Sequence, residues 1–370
     1  MGAGLAGLAV AQRLGRRALV LEQGTGFGLE ASAQNVGMVR LAVEDPYERA
    51  LAVRSREHFQ DPALRMVVRT TGAVIGLAYE PFHLDDAVAH LRARGVPVGT
   101  LSEPIPLLER SRLRRAWWFP DAQVVDVPGL LSLLARTVEL RPGVRVERLV
   151  IERGAVQGVA TSAGPIACDA VVLAGGAWCG SLAASADLDR PLVAIRRSAF
   201  AWSGGSGEGP WIWIDDAGVY VRPSAGGWAT SPCDESPERV EDGPGSTRPP
   251  RADALSLVQS KLARFLPAVD ASGEPVRAWS GLRTFAPDRR PLLGPDGEVE
   301  GLHWAAGLGG YGVTTALGVG EAVSEWLEGR SVGWLDRRGV RPDRPFPKRL
   351  AYLPDGELGR GALLDVRSAS

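Results

Sequence analysis

The chain opens with Gly2-Ala3-Gly4-Leu5-Ala6-Gly7, which fits the pattern G-x-G-x-x-G. The Ala- and Leu-rich segment 8–14 follows at once and predicts a helix. The segment 18–22 (Ala-Leu-Val-Leu-Glu) predicts a short buried strand that ends in an acid, twenty residues after Gly2. Turn, helix, strand and acid at this spacing are typical of a dinucleotide-binding βαβ unit.

Each glycine and the acid have a separate role in such a unit. Gly2 makes the turn, Gly4 lets a pyrophosphate approach the backbone, and Gly7 lets the helix and the strand pack closely. The pyrophosphate would lie on the free N–H groups at the N-terminus of the helix. Glu22 would accept hydrogen bonds from a ribose.

One feature conflicts with a complete unit of this kind. The glycine turn normally follows a strand of about five residues at the centre of the sheet, but only Met1 precedes Gly2. Either the functional start lies upstream, or the domain lacks its central strand, which would leave neighbouring strands with unpaired backbone groups. We expect an N-terminus that is truncated relative to the functional protein, with weakened affinity for the cofactor.

Composition excludes several classes of protein. With 42 basic and 43 acidic residues the net charge is −1, so no overall basic field exists to hold nucleic acid or an anionic membrane. The three cysteines form no CxxC pair and the four histidines lack ligand spacing, so no disulfide framework or metal site is predicted. No apolar stretch reaches about 18 residues and no signal-peptide layout is present, so a cytoplasmic location is expected.

The rest of the chain alternates between cofactor-type signals and β-rich stretches. Glycine-rich turns beside predicted strands or helices recur near residues 1–40, 170–180 and 305–325. We predict a cofactor domain assembled from three chain segments and interleaved with a second sheet. The further predicted elements are helices at 49–59, 84–94, 130–139, 253–265 and 313–327, strands at 67–78, 144–151, 156–161, 170–174 and 302–306, a β-rich aromatic stretch at 195–228, a polar surface loop at 235–250, and turns with short strands at 279–294.

Four parts of the sequence resemble one flavoprotein family. They are GAGLAG…LVLEQG with SAQNVGMV at 32–39, VVLAGGAW at 171–178, WSGLR with Pro287-Asp288, and the glycine-rich loop 307–314. Together they resemble the D-amino acid oxidases, glycine oxidases and D-amino acid dehydrogenases over roughly residues 1 to 330. The stretches 196–200, 231–232 and 309–312 look most like the bacterial D-arginine-type dehydrogenases.

The resemblance implies non-covalently bound FAD and oxidation of an amine on a carbon that bears a carboxylate. Arg283 matches the arginine that pairs bidentately with the substrate carboxylate, a task that suits the planar guanidinium fork. Arg197 matches a second carboxylate-binding arginine, and Tyr220 matches a tyrosine whose hydroxyl reaches the substrate. Tyr220 or Tyr311 would orient the amine, and no general base is required if the amine enters neutral.

The motifs and the resemblance also assign residues to FAD, with Leu149 matching an apolar residue whose backbone touches the adenine. The predicted FAD-binding residues are Gly2, Gly4, Leu5, Ala6, Gly7, Glu22, Gln23, Ser32, Asn35, Gly37, Met38, Leu149, Ala174, Gly175, Trp178, Arg283, Gly309, Gly310, Tyr311, Gly312 and Thr314.

The predicted fold class is α/β, with a Rossmann-type FAD-binding domain and an α+β substrate domain built on a mainly antiparallel sheet. We assign residues 1–71, 126–193 and 282–340 to the FAD-binding domain and residues 72–125 and 194–281 to the substrate-binding domain. Residues 341–370 form a C-terminal tail.

The sequence departs from the D-arginine-type enzymes in the first substrate loop. Those enzymes place a histidine and a tyrosine where this chain has Met38 and Val43, and their acid for a basic side chain falls near Gly72. We therefore expect a small neutral or apolar amino acid, glycine or a secondary amine as substrate. The other expected partner is an electron acceptor such as oxygen or a quinone.

Two alternatives stay open at this point. An NAD-dependent dehydrogenase shares the glycine fingerprint, although it would need neither the loop 307–314 nor the WSGLR segment. The short N-terminus also allows a flavin-poor family relative without catalytic activity.

Overall fold

The computed structural model describes residues 1–205, 207–240, 248–352 and 362–365. The predicted loop 235–250 and the predicted tail 341–370 therefore lie partly outside the described residues. The α-helices are α1 (Leu5–Leu14), α2 (Pro46–Phe59), α3 (Asp85–Ala93), α4 (Val127–Ala135), α5 (Cys179–Ala184), α6 (Ala254–Phe265) and α7 (Gly312–Leu327). Short 3-10 helices are Gly15–Arg17, Pro62–Leu64, Arg110–Arg112, Gly176–Trp178 and Arg337–Gly339.

The strands are short in the N-terminal half and longest around residues 193–203 and 277–285. They are β1 (Leu19–Glu22), β2 (Met38–Val39), β3 (Val68–Thr70), β4 (Ala73–Leu77), β5 (Gly99–Thr100), β6 (Arg115–Phe119), β7 (Gln123–Val125), β8 (Glu139–Pro142), β9 (Val146–Glu152), β10 (Ala155–Thr161), β11 (Gly164–Ala167), β12 (Val171–Leu173), β13 (Val193–Ser203), β14 (Trp211–Ile214), β15 (Val219–Ser224), β16 (Gly227–Ser231), β17 (Ser236–Glu238), β18 (Arg277–Phe285), β19 (Leu292–Pro295), β20 (Leu302–Ala306), β21 (Arg349–Tyr352) and β22 (Ala362–Asp365).

Two small parallel units flank the glycine turn. Strand β1 pairs with β8, and β12 pairs with β20, whose other edge carries the antiparallel strand β19. Met1 and Gly2 lie between β1 and β12: the Gly2 N–H donates to the Leu21 carbonyl (2.8 Å), and the Met1 amino group donates to the Val172 carbonyl (2.8 Å). These two residues occupy the place expected for a central strand, and β1 and β12 belong to separate sheets.

Helices α1, α2 and α7 pack together beside this region. Helix α7 packs against both α1 and α2. Helix α2 begins three residues earlier than predicted because the Asp45 side chain accepts hydrogen bonds from the Tyr47 and Glu48 N–H groups and Pro46 occupies the first turn.

The predicted helix 130–139 is wrong at its C-terminal end. Helix α4 ends at Ala135, and Glu139 begins strand β8, which runs parallel to β1 with Glu139 opposite Leu19. The segment around Leu140 has helix-forming residues, but pairing with the edge of β1 satisfies its backbone groups and outweighs that local preference.

The largest sheet among the described residues has nine strands, and its neighbouring strands are antiparallel except for the parallel pair β4 and β14. The prediction of turns and short strands at 279–294 is wrong for its first part, because β18 runs unbroken from Arg277 to Phe285. Strand β18 is antiparallel to β13 along its whole length, with Arg283 opposite Ile195 and Gly281 opposite Arg197. Gly281 and the alanine and serine near it weaken the local preference for a strand, and pairing with β13 compensates for this.

The nine-stranded sheet has two different faces. On β15, Val219 and Val221 pack in the core that also holds Val258 and Leu262 of α6. Tyr220, which alternates with them, belongs to the core on the opposite face, toward the glycine turn. The sheet therefore separates a layer that contains α6 from a layer that faces the glycine turn and α1.

The remaining strands form small antiparallel sheets with the orders β11-β10-β9, β2-β7-β3 and β21-β22. The predicted residue limits of the two domains stay a prediction. Among the described residues no helix combines the length and the apolar character needed to cross a membrane.

The close approach at the glycine turn yields a test of the fold. A Cβ atom on Gly7 would lie 2.0 Å from the Gly2 carbonyl oxygen. We expect Gly7→Ala to lower the free energy of unfolding by about 1–3 kcal/mol or more, because backbone must move to remove the overlap. Gly333→Ala is the matched control, since a Cβ there has no neighbour within 4 Å. Equal thermal unfolding midpoints for the two variants would contradict this packing.

Candidate active site

A cleft with a cavity volume of about 430 Å³ runs from the glycine turn to the N-terminal end of α7. This volume lies in the range of small-molecule sites. The predicted site residues that line the cleft are Gly2, Gly4, Leu5, Ala6, Glu22, Gln23, Ser32, Asn35, Ala174, Gly175, Trp178, Arg283, Gly309, Gly310 and Gly312. The predicted residues Gly7, Gly37, Met38, Leu149, Arg197, Tyr220, Tyr311 and Thr314 lie outside this lining.

Glu22 holds the glycine turn at one end of the cleft. Its Oε2 atom accepts a hydrogen bond from the Ala3 N–H (2.8 Å), and its Oε1 atom accepts one from the Gly24 N–H (2.8 Å). The Leu5 N–H donates to the Ser32 hydroxyl oxygen (3.0 Å). The carboxylate therefore joins the turn to the loop that follows β1, and each of its oxygens keeps a further lone pair for a ribose hydroxyl.

Two helix N-termini face the cleft without a side-chain cap. Helix α1 has Gly4 at its cap and no acidic residue in its first turn, and α7 has Tyr311 at its cap and likewise no acidic residue. The positive ends of both helix dipoles therefore point toward bound negative charge. Such an arrangement fits FAD: α1 would hold the pyrophosphate, Glu22 a ribose, and the loop 307–314 the flavin end.

The loop after Ser32 is shaped by Asn35. The Asn35 side chain donates to the Ser32 carbonyl (2.5 Å) and accepts from the Gly37 N–H (2.8 Å). Gly37 has a φ of 71°, and a Cβ there would lie 2.3 Å from the Val125 carbonyl oxygen. Asn35 thus contacts the cleft itself, whereas Gly37 supports the loop from behind.

Three further predicted residues act as supports rather than as cleft lining. Met38 is buried in β2 opposite Val124. The Thr314 hydroxyl oxygen accepts a hydrogen bond from the Arg40 backbone N–H (3.1 Å) and donates one to the Met38 carbonyl (3.4 Å). Thr314 therefore ties α7 to β2, the strand that follows the cofactor loop.

The predicted contact between the Leu149 backbone and the adenine stays a prediction. Leu149 is buried in the core, and its backbone pairs with Val159 in the β9–β10 ladder. Residues 144–147, just before it in the chain, line the cleft instead. The start of β9 thus lies at the cleft, and Leu149 lies further along the same strand, which is an edge strand of its sheet.

Arg283 lies in the wall of the cleft. Its guanidinium donates to the carbonyl oxygens of Leu282 (3.1 Å) and Gln34 (2.9 Å). Within the described residues no carboxylate lies at ion-pair distance from it. Removal from water and the charge of Arg197 lower the pKa of Arg283 to about 10. A guanidinium held only by neutral carbonyls has a strong electrostatic preference for an anion in the adjoining space.

Arg197 differs from Arg283 because its charge is compensated. Its Nη2 atom donates to Oε1 of the fully buried Glu235 (2.5 Å), and Glu235 also accepts from Arg289 (2.6 Å). Although burial opposes it, the charge of Glu235 raises the pKa of Arg197. Arg197 thus lies near Arg283, but its charge is balanced largely by the ion pair with Glu235.

Tyr220 and Tyr311 belong to an aromatic cluster on the same side. The Tyr220 ring stacks on Trp213, with ring centres 4.9 Å apart. The Arg40 guanidinium lies 4.4 Å from the centre of the Trp213 ring and 5.2 Å from that of Tyr311. Burial raises the pKa of Tyr220 to about 12 and also raises that of Tyr311, so both hydroxyls stay protonated at neutral pH.

Arg40 is a site residue that sequence reasoning missed. It is buried and forms an ion pair with Asp215 (3.0 Å), whose other oxygen lies 3.2 Å from His83 Nε2. The signal in the sequence was a single charge inside the apolar run 36–43. A buried charge needs a partner, but Asp215 lies in the turn after β14, 175 positions later in the chain.

Comparison with known proteins identifies the family of this chain. The family model described as "DAO: FAD dependent oxidoreductase" matches residues 1–326. The chain belongs to this family. The predicted resemblance and fold class are therefore confirmed, and FAD is the cofactor, which excludes the NAD-dependent alternative.

Individual relatives agree with this assignment. The chain is 29% identical to 4-methylaminobutanoate oxidase (formaldehyde-forming) of Paenarthrobacter nicotinovorans, over 73% of this chain and 34% of that protein. It is 28% identical to glycine oxidase of Pseudomonas aeruginosa, over 89% of this chain and 94% of that protein. It thus spans about a third of the first relative's length and nearly all of the second's.

Solved structures support the fold. The crystal structure of L-proline dehydrogenase from P. horikoshii superposes with a TM-score of 0.80 at 23% identity, and the match covers 92% of this chain and 95% of that one. At this level of identity the similarity concerns the arrangement of helices and strands.

The clamp made by Glu22 gives a testable prediction. We expect Glu22→Ala to weaken FAD binding by about 1.5–3 kcal/mol, or roughly 10- to 150-fold in Kd, because two backbone N–H groups and the ribose lose a charged acceptor. Titration of the apoprotein with FAD, followed by flavin fluorescence, measures this change. Glu139→Ala, on the neighbouring strand β8 and exposed, is the control. An unchanged Kd for Glu22→Ala would contradict the assignment.

Proposed function

We propose that this enzyme oxidises an amino acid, or a related amine that carries a carboxylate, to an imine that water hydrolyses to a keto acid. The observation that carries the proposal is the position of Arg283. Its guanidinium lies in the wall of the cleft and has only carbonyl partners at hydrogen-bond distance. A substrate carboxylate is the anion that such a group would bind.

The strand that carries Arg283 makes it a rigid anchor. Strand β18 pairs with β13 along nine residues, and Arg283 lies in the interior of that ladder. A planar guanidinium binds a carboxylate through two parallel charge-assisted hydrogen bonds, so it fixes orientation as well as position. Fixing the carboxylate fixes the neighbouring carbon, whose C–H bond must point at the reacting atom to within about 1 Å.

FAD, when bound, would supply the chemistry by accepting a hydride equivalent from that carbon. The two electrons would later pass to an acceptor such as oxygen or a quinone. The residues of this chain bind and orient the amine. The protonated hydroxyls of Tyr220, which also hydrogen-bonds with Ser231, and of Tyr311 would turn toward the cleft to hydrogen-bond with the amine. The aromatic cluster of Trp213, Tyr220 and Tyr311 would keep water from that side. An amine that enters neutral needs no general base.

The relatives support this class of substrate. The names glycine oxidase and 4-methylaminobutanoate oxidase each describe a substrate with an amine and a carboxylate. We therefore extend the same chemistry to this chain. The alternative of a flavin-poor relative without activity is tested by the flavin content of the purified protein and by bleaching of its absorbance with amino acids.

Replacement of Arg283 tests the proposal directly. We expect Arg283→Ala to lower kcat/KM for flavin reduction by about 2–5 kcal/mol, or roughly 30- to 5,000-fold, because a buried substrate charge loses its partner. Arg283→Lys keeps the charge but not the fork, so it should recover only part of the loss. The measurement is anaerobic flavin reduction by a panel of D- and L-amino acids, glycine and sarcosine.

Arg277→Ala is the matched control for this series. Arg277 lies on the same strand, is exposed, and has its guanidinium 4.7 Å from the centre of the Trp279 ring. Kinetics of Arg283→Ala equal to those of this control would remove Arg283 from the role. A protein fully loaded with FAD that no member of the panel reduces would overturn the proposed function.

A further inference from the structure

The guanidinium of Arg40 lies between two aromatic groups of the substrate side. It is 4.4 Å from the centre of the Trp213 ring and 5.2 Å from that of Tyr311. The Trp213 ring in turn stacks on Tyr220, with ring centres 4.9 Å apart. The position of one cation therefore bears on both tyrosines of the proposed amine site, directly on Tyr311 and through Trp213 on Tyr220.

Arg40 is fixed at its backbone and at its side chain. Its N–H donates to the Thr314 hydroxyl oxygen (3.1 Å) in the first turn of α7, and its Nε atom donates to the Ala42 carbonyl (3.1 Å). Its Nη1 atom lies 3.0 Å from Asp215 Oδ1, and both side chains are less than a tenth exposed. Although burial alone would raise it, Arg40 and His83 lower the pKa of Asp215, so the carboxylate is ionised at neutral pH.

The turn that carries Asp215 is itself held in place. The next residue, Asp216, accepts hydrogen bonds from the N–H groups of residues 78–80, at 2.6 to 2.7 Å. The same segment, between β4 and α3, contains His83, whose Nε2 atom lies 3.2 Å from Asp215 Oδ2. Asp215 thus has one charged or polar partner for each of its oxygens.

We propose that Asp215 is a positioning residue of the active site. Its ion pair with Arg40 sets the places of Tyr220 and Tyr311, and so the orientation of the amine, while His83 holds the carboxylate from its other oxygen. This inference rests on the proposed function and extends it to residues outside the lining of the FAD cleft. Without the anion the buried Arg40 guanidinium would move toward another acceptor, and the rings packed on it would move as well.

Loss of the charge at position 215 tests the role in the reaction. In the FAD-loaded full chain we expect Asp215→Asn to lower kcat for anaerobic flavin reduction by about 10- to 100-fold, since a misplacement of about 1 Å can cost about 100-fold. Asp215→Glu restores the charge and should recover part of the loss. Asp121→Asn removes an exposed acid that pairs with Arg56 (3.4 Å), and this control should keep kcat within about twofold.

A binding measurement distinguishes positioning from a general loss of structure. Acetate, which has a carboxylate but no amine, is titrated into the FAD-loaded protein and followed by the change in flavin absorbance. We expect Asp215→Asn to bind acetate at least as tightly as the wild-type chain does, because Arg283 is unchanged and Arg40 has lost its anion. If Asp215→Asn does not fold, Asp215→Glu carries the test, because its longer side chain should lower kcat and leave acetate binding unchanged.

His83→Gln provides a second test that leaves the buried ion pair intact. Besides Asp215, the charged groups near His83 are Glu44, whose Oε2 atom lies 3.7 Å from Nε2, and Arg40. The hydrogen bond to Asp215 raises the pKa of His83, so the stability that it contributes is complete below about pH 6.5 and is lost as the pH rises through the raised value. We therefore expect His83→Gln to lower the thermal unfolding midpoint more at about pH 5.5 than at about pH 8.5.

This pH-dependent difference should shrink when Asp215→Asn is also present, because the partner of His83 has then lost its charge. The kcat of His83→Gln should fall less than that of Asp215→Asn, since Arg40 keeps its anion. His90→Gln, at an exposed histidine of α3, is the control and should not lower the midpoint more at the acidic pH. An equal pH-dependent difference with and without Asp215→Asn would contradict the contact between His83 and Asp215.

The outcomes distinguish this inference from the proposed function. If Asp215→Asn keeps the wild-type kcat, or loses kcat and acetate binding by the same factor, Asp215 is not a positioning residue, and the proposed function stands. If no amine reduces the FAD-loaded wild-type chain, the proposed function fails and the positioning role fails with it.

Discussion

The structure depends on one hydrogen-bonded carboxylate, that of Glu22. It fixes the glycine turn through the Ala3 N–H and the following loop through the Gly24 N–H. With these two groups held, helix α1 begins at Leu5 with its N-terminal end facing the cleft. One acid at the end of a short strand thus sets the position of a helix end suited to an anion, and the same acid is the one that we expect to bind the ribose.

The glycine turn and the elements next to it were predictable from the sequence, because the interactions that determine them are between residues close together in the chain. A turn that needs a positive φ selects glycine, and Gly2 has a φ of 91°. The helix 5–14, the strand 19–22 and the helix 312–327 carry their signals within their own residues. The predictions that were wrong concern segments whose structure depends on distant partners. Glu139 lies in a strand because it pairs with β1, and the segment around Gly281 lies in a strand because it pairs with β13.

The site shows the same division between local and distant causes. Most of the predicted FAD-binding residues line one cleft because they belong to turns whose geometry the motifs specify. Leu149 is not among the residues that line the cleft, and its contact with adenine stays a prediction. Arg40 was missed because its partner Asp215 lies in the turn after β14, far along the chain, and only the folded chain shows that the buried charge is paired.

The arginines of the substrate side illustrate why composition alone says little about recognition. Arg40 and Arg197 each have a buried acid at ion-pair distance, so their charges are largely spent inside the protein. Arg283 makes hydrogen bonds only to carbonyls among the described residues. Because an uncompensated guanidinium away from bulk water is costly, an anionic ligand beside Arg283 would stabilise the fold as well as bind. The ion pairs of Arg40 and Arg197 thus leave Arg283 as the anchor that we propose for the carboxylate of the substrate.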